Sequence, residues 1–312
     1  MKVVGTTVRR RRVIPFTLAV FRALENGLFV CLMKKSACPM NSLDITDSVK
    51  PPGAGALADP PLLEVESLSM AYGRGPDSLS VLGNVHLRLS RGECIALIGP
   101  SGCGKSTFFN LLAGLVRPNE GEIRLRGRPV ADLRGTVAYM QQKDLLLPWR
   151  RMLDNAVLGL EIQGVPRPTA RKRARELLEV FGLKGFENRY PHELSGGMRQ
   201  RVALLRTILC GKDIWLLDEP FGALDAITRR EMQTWLLRAW ERFRASVLLV
   251  THDVEEALIL ADRVYVMTAR PSRIRASLAL PLARPRQVTQ PDMVRLKAGL
   301  LDLLETNPES RS

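Results

Sequence analysis

The feature that most constrains this 312-residue chain is a junction between an apolar run and a glycine-rich one. Cys94-Ile95-Ala96-Leu97-Ile98 is short and continuously apolar, the pattern of a strand buried on both faces of a parallel sheet. Gly99-Pro100-Ser101-Gly102-Cys103-Gly104-Lys105-Ser106-Thr107 follows at once, and Phe108 to Leu115 then reads as a helix. This is the pattern G-x-x-x-x-G-K-[ST] in a strand–loop–helix setting, the P-loop. Its glycines let the backbone curl so that successive N–H groups face a phosphate, and the helix N-terminus adds partial positive charge. Lys105 is placed to neutralise the β- and γ-phosphates, and the Ser106 hydroxyl to ligate Mg²⁺.

Two further apolar strands end in polar residues. Ile214-Trp215-Leu216-Leu217 runs into Asp218-Glu219, and Val247-Leu248-Leu249-Val250 into Thr251-His252-Asp253. The C-terminal ends of parallel strands form the ligand edge of such sheets, so all three segments are expected to converge there. Asp218 is then the metal ligand, Glu219 the general base on the attacking water, and His252 a contact to the γ-phosphate and that water. His86 and His192 read as structural.

Leu194-Ser195-Gly196-Gly197-Met198-Arg199-Gln200-Arg201 opens another helix, and Ser-Gly-Gly at a helix start is a second anion-binding nest. Two phosphate cradles for one nucleotide are explained if this one serves a second copy of the chain.

These segments together resemble the ATP-binding subunit of an ABC transporter over residues 62–285. Gly99–Thr107 matches Walker A, Ile214–Glu219 Walker B, and Leu194–Gln200 the family signature, with Met198 in the usual place of glutamine. Gly222-Ala223-Leu224-Asp225 is similar to the D-loop and Thr251-His252-Asp253 to the switch histidine segment. In Tyr139-Met140-Gln141-Gln142, the spacing to Pro148 makes Gln142 the match for the Q-loop glutamine, at the metal and the attacking water. Tyr72 falls where the family stacks an aromatic ring on adenine. The resemblance implies an α/β P-loop NTPase with a mostly parallel, RecA-like sheet, an antiparallel β edge and an inserted helical signature subdomain. It also implies a head-to-tail homodimer with ATP and Mg²⁺ held between one P-loop and the partner's Ser195-Gly196-Gly197, with Asp225 at the interface.

Residues 62–148 and 205–285 are expected to form the core, 149–204 the helical insert and 286–312 a helical tail. In the insert, Thr169 is a candidate helix cap, Leu177, Leu178 and Phe181 an apolar stripe, and Arg171, Lys172, Arg173 and Arg175 a solvated face. Met232, Trp235, Leu236, Ala239, Trp240 and Phe243 follow helical spacing and read as core. Leu145-Leu146-Leu147-Pro148-Trp149-Arg150 resembles the Leu-Leu-Pro-Trp segment of the nitrate, sulfonate and taurine importers, a group that includes importers of thiamine-pyrimidine precursors. Leu146 to Arg150 is therefore expected to contact a separate integral membrane permease at the cytoplasmic face of the cell membrane. The solute itself is set by that permease and by an extracytoplasmic solute-binding protein.

Composition bears on the partners. The formal charge is +14, yet residues 62–148 carry +2 and residues 205–269 carry −2. The surplus lies in residues 1–61, the insert and residues 270–312, which suits anionic lipid beside a permease. The alternative is a soluble ABC ATPase acting on nucleic acid or ribosomes. One P-loop, no heptads and no CxxC among five cysteines count against it. Residues 1–61 combine Arg9–Arg12 with the apolar Val13–Phe21, imitating a secretory signal, but export would part the chain from its nucleotide. A disordered extension or a misassigned start, with Met33 or Met40 as first residue, is the expectation. No apolar run reaches the 18 or so residues that span a bilayer.

Overall fold

A computed structural model describes residues 60–305 except Arg74 and Ala223, and the expectations for residues 1–59 fall outside it. Two sheets organise the chain. The smaller is antiparallel, ordered β2-β1-β4-β5, from β1 (Leu63–Tyr72), β2 (Leu79–Leu89), β4 (Glu120–Leu125) and β5 (Arg128–Val130). The larger is ordered β10-β9-β3-β8-β7-β6, from β3 (Cys94–Ile98), β6 (Val137–Met140), β7 (Ile214–Asp218), β8 (Ser246–Val250), β9 (Arg263–Met267) and β10 (Ile274–Ala279). Pairing is parallel from β6 through β7, β8 and β3 to β9, and only β10 is antiparallel. This mixed α/β architecture with an antiparallel edge is the one expected of a P-loop NTPase.

The continuous apolar runs are explained by cover on both faces. From β3, β7 and β8, the side chains of Ile95, Leu97, Ile214, Leu216, Leu248 and Val250 pack against the antiparallel sheet and α1 (Lys105–Leu112), where Phe108 and Phe109 are fully buried. The opposite face, with Trp215, Leu217, Val247 and Leu249, packs against a helical layer. That layer comprises α2 (Met152–Ala156), α3 (Leu158–Ile162), α4 (Arg167–Leu178), α5 (Gly196–Leu209) and α6 (Ala226–Phe243). A third cluster joins α7 (Val254–Leu260) and α8 (Pro291–Glu305) to β3 and β9.

Several local expectations are corrected. The first helix starts at Lys105 and stops at Leu112, because Gly114 takes a left-handed φ of 72°. Thr169 lies inside α4, which begins at Arg167 after Pro166 at the N-cap and carries Pro168 in its first turn, where proline is tolerated. Lys172, Arg173 and Arg175 are exposed as expected, whereas Arg171 is half-buried with its guanidinium on Asp154 at 2.6 Å, and Leu178 and Phe181 are buried as expected. Of the α6 stripe, Met232, Leu236 and Ala239 are buried, whereas Phe243 is exposed and meets Trp215 edge-on. The boundary drawn at 204/205 falls inside α5. The one at 285/286 falls in a tied-down turn, where buried Arg286 donates to the carbonyls of Leu258 and Ala261 at 2.6 Å. Cys94, Cys103 and Cys210 are free thiols. No helix among the described residues is long and apolar enough to cross a membrane.

Glu256 in α7 is buried, and one of its carboxylate oxygens has no partner. Burial, reinforced by the charge of Asp253, pushes its carboxyl up to about 8. The unfolded chain therefore ionises at this residue while the folded chain still holds the proton, so stability falls as pH rises from about 4.5 to about 8. Glu256→Gln should remove this part of the pH dependence. In urea unfolding at pH 5.5 and 8, the variant should lose less stability between the two pH values than wild type.

Candidate active site

Parallel register brings the three polar segments to one edge. The P-loop leaves β3, Asp218 ends β7, and Thr251-His252 follows β8, which lies between those two strands. The Asp218 side chain is 2 % exposed, and its Oδ1 has no hydrogen-bond partner. Burial pushes its carboxyl above the usual range, against a hydrogen bond from Ser106 and the charge of Lys105. A buried, half-satisfied carboxylate beside an exposed serine hydroxyl is a donor set that suits a hard divalent cation.

Glu219 has a left-handed backbone, φ 48°, unusual for a residue with a side chain. Neighbours over-determine it. Its N–H donates to the Val250 carbonyl at 2.9 Å, and its carbonyl accepts from Gly222 N at 3.2 Å and from Gln200 Nε2 at 3.3 Å. Its carboxylate is held at both oxygens. Gln142 Nε2 donates to Oε2 at 2.9 Å, and His252 Nδ1 lies 3.3 Å from Oε1. Three residues from three strand ends, 142, 219 and 252, thus meet around one carboxylate.

In the P-loop, Gly102 and Gly104 take φ of 73° and 115°, so both need the freedom of glycine. A Cβ on Gly104 would lie 2.8 Å from Val81 Cγ1 of β2. The Lys105 ammonium is buried and donates to the carbonyls of Gly99 and Pro100 at 2.8 and 2.9 Å. Ser101 and Ser106 are exposed, Thr107 is half-buried, and Cys103 is buried with Sγ 3.7 Å from the ammonium. Tyr72 stands exposed at the end of β1, paired with Leu79, two residues from Val81.

The remaining residues are not gathered by this chain alone. Ser195 caps α5, its hydroxyl accepting from Met198 N at 3.2 Å, and Ser195 and Gly196 face solvent on the helical layer, with Gly197 half-buried behind them. Asp225 caps α6 through the N–H groups of Ile227 and Thr228 at 3.1 and 3.0 Å, and the Thr228 bond holds its carboxyl below the usual range. In the segment after Gln142, Leu146 is buried, contrary to its expected contact role, while Leu145 and Trp149 are exposed. Asn155 holds that loop from inside, its Oδ1 accepting from Leu147 N and its Nδ2 donating to Arg150 O. Arg199 binds Asp144 at 3.0 Å, and Arg206 donates to the carbonyls of Asp144 and Leu145. Arg199 and Gln200 are marked in the sequence only as part of the signature segment Leu194–Gln200, and Arg206 only by its place on the helix that Ser195 opens.

A β3–loop–α1 unit with an acidic pair on the neighbouring parallel edge defines a nucleotide-hydrolysing P-loop protein. The ABC transporter family model matches residues 82–222. The chain is 40 % identical over 244 residues to the aliphatic sulfonates import ATP-binding protein SsuB of Bacillus licheniformis, covering 78 % of this chain and 94 % of that protein. It is also 40 % identical over 248 residues to the taurine import ATP-binding protein TauB of Pseudomonas aeruginosa, covering 77 % and 94 %. A solved dimer of the ATP-binding cassette MJ0796, in a post-hydrolysis state with ADP and Pi, superposes with a TM-score of 0.64 at 29 % identity, covering 71 % of this chain and all of that one. The chain belongs to the ABC transporter ATP-binding family, and it is an ATPase of that kind.

Gly104→Ala tests the cradle directly. The clash with Val81 and the forced φ should cost on the order of 1–3 kcal/mol of stability. ATP affinity should fall at least about tenfold, a loss of roughly 1.4 kcal/mol or more. Chemical denaturation and calorimetric titration with ATP report the two effects separately.

Proposed function

We propose that this chain is the ATP-hydrolysing subunit that energises solute import through a separate membrane permease, acting at the cytoplasmic face of the membrane as a head-to-tail homodimer. The solute class it serves is sulfonate-, taurine- or nitrate-like, or a pyrimidine precursor. Support for the class comes from the similarity to SsuB and TauB and from the Leu-Leu-Pro-Trp segment, whose Trp149 is 73 % exposed. An exposed indole on a loop fastened to α5 by Arg206 suits a docking partner and a rigid connection back to Ser195. A solute-binding protein on the far side of the membrane completes the system indirectly.

In the proposed mechanism, N–H groups of Gly99–Thr107 and the Lys105 ammonium hold the phosphates, and Tyr72 stacks on adenine. Asp218 and Ser106, with Gln142, would hold Mg²⁺, which would supply charge neutralisation for the phosphates when bound. Glu219 takes the proton of the attacking water, and His252 contacts the γ-phosphate. The observation that carries this reading is the Glu219 carboxylate, gripped by Gln142 and His252 beside the buried Asp218. A base held at both oxygens is oriented before substrate arrives. Its release from Gln142 would tie hydrolysis to movement of the loop that carries Trp149. The partner's Ser195, Gly196, Gly197 and Asp225 would close the site. Closure on ATP and opening after hydrolysis then drive the permease.

Glu219→Gln keeps the size and much of the hydrogen bonding but removes the base. It should still bind ATP and accumulate as a dimer on size-exclusion chromatography, with hydrolysis lowered by about 10²–10⁴-fold. Wild-type turnover in this variant would remove Glu219 from the role of base.

A further inference from the structure

The turn joining β9 to β10 touches the P-loop from outside. It runs from Thr268 to Arg273 and is closed by Thr268 N–H donating to the Arg273 carbonyl at 3.0 Å and Arg273 N–H to Thr268 Oγ1 at 3.0 Å. Its centre is fastened to β2, where Ser272 N–H donates to the Val81 carbonyl at 2.9 Å and the Ser272 carbonyl accepts from Gly83 N–H at 2.9 Å. From that anchored position two side chains reach the loop. The Ser272 hydroxyl, fully buried, donates to the carbonyl of Cys103 and also lies 3.1 Å from the Thr268 carbonyl. The Arg270 guanidinium donates through Nε to the carbonyl of Gly102.

Those two carbonyls belong to the peptide units that make the cradle. In a trans peptide the C=O and N–H point in opposite directions, so a carbonyl pinned outward aims the next N–H inward. Ser272 on Cys103 O therefore directs Gly104 N–H, and Arg270 on Gly102 O directs Cys103 N–H, which also closes a turn on Pro100 O at 3.3 Å. A charged donor on a carbonyl also polarises the peptide and strengthens its N–H as a partner for an anion. Glycine at 102 and 104 leaves these peptides free to rotate. Two glycines in left-handed conformations need an external restraint, and this turn supplies one.

We propose that Arg270 and Ser272 are positioning residues for phosphate binding, holding the P-loop in its anion-accepting shape from the side away from the nucleotide. The inference rests on the reading of Gly99–Thr107 as the phosphate cradle. It assigns to Arg270 a function separate from the diffuse positive charge of the C-terminal segment, since its guanidinium acts on a backbone carbonyl.

The test uses the full chain and the variants Arg270→Ala, Arg270→Lys and Ser272→Ala, with ATP and ADP as probes. Loss of one charge-assisted hydrogen bond to the loop should weaken nucleotide binding by about tenfold. Arg270→Ala should raise KM for ATP by that factor with kcat within about twofold, and Arg270→Lys should recover most of the loss. ATP and ADP should weaken equally, because the loop N–H groups cradle phosphates that both carry. Arg270 is exposed, so its variants fold even if Ser272→Ala does not. Unchanged affinity in Arg270→Ala overturns the proposal, and so does a loss confined to ATP, which would mean direct contact with the γ-phosphate. Lys105→Ala separates the two levels of the argument. If it abolishes ATP binding while Arg270→Ala binds like wild type, the brace alone fails. If Lys105→Ala itself binds like wild type, the cradle reading fails with it.

Discussion

Parallel pairing of β3, β8 and β7 is the constraint on which the chemistry of this protein depends. Each strand delivers a different group at its C-terminal end, and only an in-register parallel sheet puts those ends side by side. Leu97 pairs with Val250, and Val250 with Asp218, so the start of the P-loop, the segment Thr251-His252 and the acidic pair are fixed by backbone hydrogen bonds. Such a sheet has to be covered on both faces, which is why the chain builds an antiparallel layer on one side and a helical layer on the other. The helical layer is then available for a second task, since Ser195 opens α5 on its exposed surface.

Around this edge, rigidity and freedom are distributed unevenly. Glu219 is strained in φ but held by backbone and side-chain partners from β8, α5 and the loop after β6. The P-loop, rich in glycine, gains its shape from outside, through Val81 against Gly104 and through the turn after β9. Gln142 joins Glu219 to the helical layer, because the segment that follows it is fastened to α5 by Arg199 and Arg206. A displacement of that segment would reach both the Glu219 carboxylate and the helix that begins at Ser195.

Much of this was legible in the sequence because the signals are local. The apolar runs of β3, β7 and β8 and the residues ending each one can be read off directly, and the edge follows from the sheet type. What was not legible depends on contacts distant along the chain. Arg270 and Ser272 meet Gly102 and Cys103 across 168 and 169 residues, and nothing near them marks a partner. Arg171 departs from the solvated face of Lys172, Arg173 and Arg175 for the same reason, as its partner Asp154 lies 17 residues away. Leu146 looked like part of an exposed apolar stretch, but a left-handed φ of 46° at Leu145 turns it inward. Thr169 is not the cap for a local reason, since Pro168 fits the first turn of a helix and α4 starts at Arg167, about one turn earlier than a threonine cap would place it.

The central claim is that the working site is composite, one P-loop against another copy's Ser195-Gly196-Gly197. The most direct measurement mixes two inactive chains, Lys105→Ala and Gly196→Asp, and follows ATP hydrolysis. In a head-to-tail heterodimer one site receives both lesions and the other receives none, so the mixture should hydrolyse ATP well above the sum of the separate variants. If every site were built from a single chain, no intact site could form, and a mixture no more active than its parts would contradict the account.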